Sequence, residues 1–377
     1  MVKNILITGG AGFIGSNLSL KLIERGYNVR VLDNLSTQIH GEEPYLSPLY
    51  LSIKYKVDFF EGDVRNLDDW KIALKGQDAV IHLASETGTG QSMYEVERYV
   101  NVNVRGTAIL LDLLANGEHN IQKVVVSSSR SIYGEGKYFC STHHEVYPLE
   151  RTENNLSSGD FNPKCPICEQ TVELKATDEQ SKVHPSSIYG ITKQNQEQMI
   201  LVGCKSLNIP AVSFRYQNVY GPGQSLSNPY TGILSIFSTR ILNNNSINIF
   251  EDGLESRDFV FIDDVVDATI IGLESENANN QVYNVGSGVN TSVLKVANKL
   301  KELYDSDVEI TISGNYRLGD IRHNYADLSK VKSIGFEPKV SFDDGIERFS
   351  AWVKQQDVQE DTYEQSIKEM KEKGLFK

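Results

Sequence analysis

Residues 2–33 read VKNILITGGAGFIGSNLSLKLIERGYNVRVLD, and the order of apolar, glycine and acidic positions in this stretch decides the fold. Val2–Thr8 predicts a short buried strand, and Gly9–Gly15 a glycine-rich turn. Phe13–Gly26 carries Ile14, Leu18, Leu22 and Ile23 at helical spacing, and Asn28–Leu32 returns as a strand that ends at Asp33. Strand, turn, helix and strand in this order form the opening unit of a doubly wound parallel sheet.

The turn itself has a chemistry. Gly9, Gly12 and Gly15 form Gly-x-x-Gly-x-x-Gly. The first permits a tight turn, the second lets backbone approach a pyrophosphate, and the third allows close packing of helix on strand. The helix start then offers unpaired N–H groups to phosphate oxygens. Asp33 follows Gly15 by 18 residues, where a carboxylate can bind both hydroxyls of a ribose. A 2'-phosphate would meet like charge there, so NAD is expected rather than NADP. Asp63, after a strand and followed by Val64, is placed to bind near the adenine.

Further strands are expected at Val57–Glu61, Ala79–Leu83, Lys123–Ser127 and Ala211–Phe214, with helices at Met93–Leu114 and Ile188–Ser206. The expected class is therefore α/β, a Rossmann-like doubly wound parallel sheet over residues 1–220. Residues 135–184 interrupt the alternation with prolines, polar residues and three of the four cysteines, as an insertion would. Residues 221–353 are expected to form mainly a smaller substrate-binding lobe, with Val282–Val285 rejoining the sheet. Residues 354–377 are charged and read as a surface helix or frayed tail.

Composition narrows the function. A net charge of -13 across 377 residues argues against nucleic acid, which needs a basic stripe. No apolar run is long enough to span a bilayer, and the start reads as a strand, not a signal peptide, so cytoplasmic residence without a membrane partner is the default.

Tyr189 and Lys193 lie i,i+4 on one face of an expected helix, and Ser129 ends a strand that a parallel sheet delivers to the same edge. A tyrosine is a poor base near pKa 10, but a lysine ammonium and a cationic nicotinamide would favour tyrosinate. Tyr189 could then take a hydroxyl proton, Lys193 hold the nicotinamide ribose, and Ser129 bond the reacting oxygen.

These features, with TGGAGFIG, DNLS from Asp33, GDVR from Gly62, HLAS from His82, NVNVRGT from Asn101, SSSRSIYG from Ser127, YGITK from Tyr189 and RYQNVYGPGQ from Arg215, resemble the extended short-chain dehydrogenase/reductase family in its nucleotide-sugar epimerase/dehydratase branch. EDGLESRDFVFIDDV from Glu251, YNVGSG from Tyr283 and YRLGDIRHNYADLSK from Tyr316 extend the likeness. The resemblance implies Ser129, Tyr189 and Lys193 as the catalytic trio. It implies NAD contacts from Gly9, Gly12, Phe13, Ile14, Gly15, Asp33, Asn34, Asp63, Val64, Leu83, Ala84 and Asn103, together with Tyr189 and Lys193. Asn218 would hold the diphosphate or sugar, and Arg257 and Arg317 would grip the nucleotide and diphosphate, with Asp320 and Arg322 supporting their loop. Glu86, Thr87 and Thr89 are candidates for sugar hydroxyls. The family's long helices typically pair into a homodimer.

Dehydratases of the family carry an Asp–Glu pair directly after the catalytic Ser or Thr; here Arg130 and Ser131 stand instead. The decarboxylating relatives also place a glutamate in this segment. Without these acids, the expected outcome is a 4-keto sugar that is reduced again with C4 inverted, NAD being regenerated in each turnover. SSSRSIYG, the cysteine-bearing insertion and RYQNVYGPGQSLSNPYTGI are similar to the dTDP-L-rhamnose 4-epimerase type, which implies conversion of dTDP-L-rhamnose to dTDP-6-deoxy-L-talose. UDP and GDP sugars stay open, as does a C4 dehydrogenase or reductase. A non-enzymatic NAD sensor or structural protein fits poorly with an intact Ser–Tyr–Lys set.

Cys140-x-x-His143 and Cys165-x-x-Cys168 have the spacing of two halves of a tetrahedral Cys3His zinc site. A redox-sensitive pair or unligated cysteines are the alternatives, and His144 competes with His143. Cys204, on the Tyr189 helix, reads as core.

Overall fold

In the computed structural model, which describes residues 2–228, 230 and 232–377, the opening unit forms, with its first strand and helix slightly shorter than expected. Strand β1 spans Asn4–Thr8, the first helix Phe13–Glu24 and strand β2 Asn28–Asp33. Strands β3 (Asp58–Glu61), β4 (Ala79–His82), β5 (Lys123–Ser129), β6 (Ala211–Tyr216) and β7 (Gln281–Val285) complete one sheet. Its spatial order is β3-β2-β1-β4-β5-β6-β7 and every neighbour pair is parallel.

The strands read as apolar runs because both faces are covered. Ile5 and Ile7 join a core with Leu18, Leu22, Val265 and Ile270 on one side, while Leu6 joins Trp70, Leu110 and Ile200 on the other. Cys204 belongs to this second core and is fully buried. Chain order reverses between β1 and β4, which opens a crevice at the carboxyl edge of the sheet.

The helix Ile188–Ser206 occupies the expected span, and the Ser187 hydroxyl accepts the Gly190 N–H at 3.1 Å as its cap. The other long helix begins at Val96, not Met93, and runs to Asn116. Its middle, Val100–Arg105, is a wider π-type turn.

The region after residue 221 crosses between lobe and sheet. Ile247–Ile249 pairs with Ile310–Ile312, and Ser256–Phe261 pairs with Asn218–Tyr220, Asn290–Ser292 and His323–Asn324. The helix Ile262–Glu274, however, packs its apolar residues into the core beneath the first helix, and β7 rejoins the sheet. Pro229 and Thr231, within the stretch SLSNPYTGI, lie outside the described residues.

The last residues follow the helix alternative rather than a frayed tail. Tyr363–Glu372 is a helix whose Ile367 and Met370, with Phe376, are buried against Phe250. Backbone bonds tie Tyr316 to Lys377 in both directions, and Leu318 N–H to Leu375. Only Tyr363, Ile367 and Met370 carry the apolar face, at i, i+4 and i+7, so the charged composition hides it. Among the described residues no helix is long and apolar enough to cross a membrane.

Candidate active site

The carboxyl edge of the sheet opens into a cavity of about 560 Å³. β1 delivers Gly9 to it, β2 Asp33, β3 Gly62 and Asp63, β4 Leu83 and Ala84, β5 Ser129, and β6 Gln217 and Asn218. One side is shaped by missing side chains. Gly9 has φ +68°, and a Cβ there would stand 2.8 Å from the Ala84 nitrogen. A Cβ on Gly15 would collide with the Gly9 carbonyl, so helix and turn touch through backbone. Gly12 begins the helix without a side-chain cap, which leaves the first N–H groups facing the cavity mouth without a side-chain acceptor. Phe13, Ile14 and Asn34 also line the cavity.

Asp33 lies at the end of β2 and accepts N–H bonds from Ala11 and Leu35, both 2.9 Å. Burial pushes its carboxyl up, opposed by those donors and by His40, whose ring stands 4.0 Å away. Each carboxylate oxygen retains acceptor capacity for a hydroxyl. Asp63 is held differently. Burial opposes its ionisation, but Arg65 and the Asn34 amide outweigh it and hold the carboxyl below its usual range. Val64 lines the cavity beside it. Asn103 does not line the cavity: its amide bonds Glu86 N–H, Glu86 C=O and the Thr192 hydroxyl, so it ties the end of β4 to the Tyr189 helix.

Ser129, Tyr189 and Lys193 meet at the junction of the two sides. The Ser129 hydroxyl lies beside the Tyr189 phenol. Burial raises the Tyr189 pKa, and Ser129 and the Arg130 guanidinium pull it back down. Burial lowers Lys193 to about 7, and its ammonium donates to Gln196 Oε1 at 2.6 Å and Ser127 Oγ at 3.3 Å. Behind it His82 is buried between Thr8 and Thr107, and burial together with Lys193 keeps it neutral, at about 3. Arg130, a residue the sequence had offered only as a missing acid, is a further cation beside Tyr189. Arg130 is itself lowered to about 9 by burial and by Arg257.

The other side is built from distant segments. Arg257 lines the cavity while donating to the carbonyls of Ser256, Ile321 and Arg322. Arg317 lines it too, paired with Asp320 at 2.8 Å and lying over the Phe250 ring. Arg322 stands outside, buried between Glu251 and Asp252, and stiffens the same loop. Glu86 pairs with Arg98 at 2.8 Å; Thr87 and Thr89 line the wall beside it. Asn218 Oδ1, both amide atoms of Gln217, Gln224 Oε1 and Asn248 Oδ1 are buried without a hydrogen-bond partner among the described residues, and all four residues line the cavity. Such atoms cost free energy in the empty protein and mark where a polar ligand binds.

Sequence reasoning missed Gln217, Gln224 and Asn248, along with Glu255, which burial raises to about 7. It also missed Tyr363, Ser366, Ile367 and Met370, the tail residues that close one wall. The tail had no motif to announce this; Gln217 and Gln224 lay inside a quoted motif beside Asn218.

Cys140, His143, Cys165 and Cys168, none of which lines this cavity, converge with their donor atoms within 4.8 Å of one another.

Residues 5–286 match the model of the NAD dependent epimerase/dehydratase family. The chain is 36% identical to a dTDP-L-rhamnose 4-epimerase of Burkholderia thailandensis, over 94% of this chain and 96% of the relative. Its fold is similar to UDP-glucose 4-epimerase of Thermotoga maritima solved with UDP-glucose, with a TM-score of 0.76, 30% identity and coverage of 93% and 99% of the two chains. It is likewise similar to UDP-glucuronic acid 4-epimerase of Bacillus cereus in complex with UDP-glucuronic acid and NAD, with a TM-score of 0.75, 27% identity and coverage of 93% and 99%.

Proposed function

The chain belongs to the NAD dependent epimerase/dehydratase family, and from that premise we propose that it inverts C4 of a nucleotide-diphosphate sugar, with dTDP-L-rhamnose as substrate and dTDP-6-deoxy-L-talose as product. The observation that carries the reaction is the meeting of Ser129, Tyr189 and Lys193 in a cavity where Arg130 and Ser131 stand next to the serine. A neighbouring acid and base would serve elimination; a guanidinium and a hydroxyl do not.

The residues present fit the cofactor. The glycine turn excludes side chains from the pyrophosphate path, the uncapped helix start faces it, and the Asp33 carboxylate suits a ribose diol and would repel a 2'-phosphate. NAD, when bound, supplies the hydride acceptor and donor for C4. Tyr189 takes the C4 hydroxyl proton and later returns one, with Ser129 beside the phenol to bond the reacting oxygen. Arg130 favours the tyrosinate that this requires. Arg257 and Arg317 hold phosphate oxygens, for which planar guanidinium forks are suited. Gln217, Asn218, Gln224 and Asn248 satisfy their open amide atoms on sugar and diphosphate. The wall from Phe237, Phe250, Ile367 and Met370 suits the methyl groups of thymine and of a 6-deoxy sugar.

Two further features belong to the same reading. Val96 and Val100 on one long helix, with Ile191 and Val202 on the other, are exposed and apolar, which favours a homodimer through these helices. Cytoplasmic residence goes with a nucleotide-sugar substrate. The proposed chemistry asks nothing of the Cys140–Cys168 cluster.

The test is incubation with dTDP-L-rhamnose without added cofactor, following the H4 couplings by NMR. Inverted H4 couplings at constant total nucleotide sugar and without net NADH are expected. An unchanged spectrum with NAD-loaded protein would sink the substrate, and UDP and GDP sugars would be tried next. A 4-keto product with equivalent NADH would replace the epimerase by a C4 dehydrogenase.

A further inference from the structure

Among the described residues the insertion brings together one cluster of four soft donors. Cys140 ends the strand Tyr138–Cys140, and His143 lies in the turn before the strand His144–Val146. Cys165 and Cys168 come from a second turn, closed by the Glu169 N–H on Cys165 C=O at 2.9 Å and the Cys165 N–H on Gln170 C=O at 2.8 Å. Cys140 Sγ stands 3.7 Å from Cys168 Sγ and 3.7 Å from His143 Nδ1, and Cys165 Sγ stands 3.5 Å from the same nitrogen.

These separations have a simple reading. With bonds of about 2.3 Å to sulfur and about 2.0–2.1 Å to nitrogen, a tetrahedral zinc ion holds two sulfurs roughly 3.8 Å apart and a sulfur and nitrogen roughly 3.6 Å apart. A disulfide would need about 2.05 Å. We propose that Cys140, His143, Cys165 and Cys168 bind one structural zinc ion through three thiolates and the Nδ1 of His143. All four positions are filled by protein, so the ion has no open site for catalysis.

The surroundings support a metal. Backbone N–H groups of His143 and Thr142 point at Cys140 Sγ, and that of Gln170 at Cys168 Sγ, as donors to ligating thiolates do. His144, the competing histidine, is exposed with its ring against Phe139 at 5.8 Å, so it turns away from the cluster. Without an ion the subdomain has little to hold it. Its core is Tyr138, Cys140, Val146 and Cys165, edged by Cys168, Val172 and Leu174, and three of these seven are the cysteines themselves. Metal binding supplies folding free energy where apolar burial is this small.

The clip also has a target. The same insertion lays Leu156 and Phe161 on Tyr316, and pairs Thr177 with the 325–327 segment through two backbone bonds. Arg151 donates to the Asp320 carbonyl at 2.8 Å. Zinc in the insertion thus steadies the loop that carries Arg317, at a distance from the reacting atoms.

The experiment uses the full chain, purified without chelator, with elemental analysis and then replacement of the bound ion by Co2+. About one zinc per chain is expected, and cobalt should give the visible absorption of a tetrahedral thiolate site. Cys165→Ser and Cys168→Ser should lose the ion, while Cys204→Ala, in a separate core, should keep it. If the ligand variants do not fold, the unsubstituted chain decides. Less than about a tenth of a zinc per chain with no cobalt spectrum after reduction overturns the proposal. Equimolar iron, or a Cys140–Cys168 disulfide found by mass spectrometry in the metal-free chain, overturns it as well.

Discussion

On the side of the cavity formed by β1, β2 and β3, polar groups are bonded to protein before any ligand arrives. Asp33 takes two backbone N–H groups, Asp63 is clasped by Arg65 and Asn34, and Gly9 and Gly15 are pressed against backbone. On the opposite side, Gln217, Asn218, Gln224 and Asn248 hold buried amide atoms with no partner among the described residues. The first side is rigid and satisfied, and what it offers a ligand is shape plus spare lone pairs. The second is unfinished until a substrate completes it. That division suits an enzyme that keeps its cofactor through many turnovers and must still release its sugar.

The largest effect is expected where the two sides meet. Tyr189→Phe removes only the phenolic oxygen, so the cavity and the cofactor side stay intact. The epimerisation rate should fall by about 10²–10⁴-fold, as for loss of a general acid–base group, with NAD binding unchanged. Single-turnover NMR and cofactor titration check both halves. A variant retaining a tenth of the rate would remove Tyr189 from the chemistry.

A smaller loss is expected from the satisfied side. Asp33→Asn keeps the size but removes the charge that Ala11 and Leu35 solvate and that a ribose diol would bond. Hydrogen bonds to a charged group contribute about 1.5–3 kcal/mol, so NAD affinity should weaken by roughly 10- to 100-fold, and discrimination against NADP should shrink. Equal affinity for NAD in both proteins, measured by calorimetry, would mean that Asp33 is only a turn-forming residue.

The unfinished side should respond with opposite signs. Gln217→Leu deletes two buried unpartnered amide atoms, so the ligand-free protein should gain about 1 kcal/mol or more against urea. The same change should lower kcat/KM about tenfold, because a neutral hydrogen bond to substrate is lost. A variant that is both less stable and fully active would show that Gln217 is satisfied in the protein and faces no ligand.

The same contrast explains what could be read from sequence. The side proposed for the cofactor is local: the turn, the helix start and Asp33 fall within residues 9–33, so glycine spacing and strand periodicity carry it. Ser129, Tyr189 and Lys193 were legible because a parallel sheet delivers strand ends and the following helix to one edge. Gln217, Gln224, Asn248, Glu255 and the 363–370 helix come from segments that only tertiary packing joins, and an unpartnered amide has no sequence signature. Asn103 shows the converse, a motif residue held by the protein itself. Its motif was read as a direct contact, but it sits in the π-type turn and spends its amide on Glu86 and Thr192.

Lys193 gives the finest test, since it sits where the two sides meet and, although hydrogen-bonded, carries a cost. A free lysine titrates near 10.4, whereas burial lowers Lys193 to about 7 in the folded protein. Below about pH 7 the side chain is protonated in both states and the desolvation penalty is fully present. Between about pH 7 and 10.5 the unfolded chain binds the extra proton, so stability should rise with pH through that window. The contribution is at most about 1.4 kcal/mol per pH unit for one proton. Lys193→Met should flatten the rise, and urea unfolding at pH 7.5 and 9.0 of both proteins isolates it, other groups cancelling in the difference. Parallel slopes would mean that Gln196 and Ser127 keep the ammonium charged, and the expected tyrosinate support would return to Lys193. A slope lost in the variant would leave Lys193 largely neutral above pH 7 in the ligand-free enzyme, with Arg130 as the fixed cation beside Tyr189.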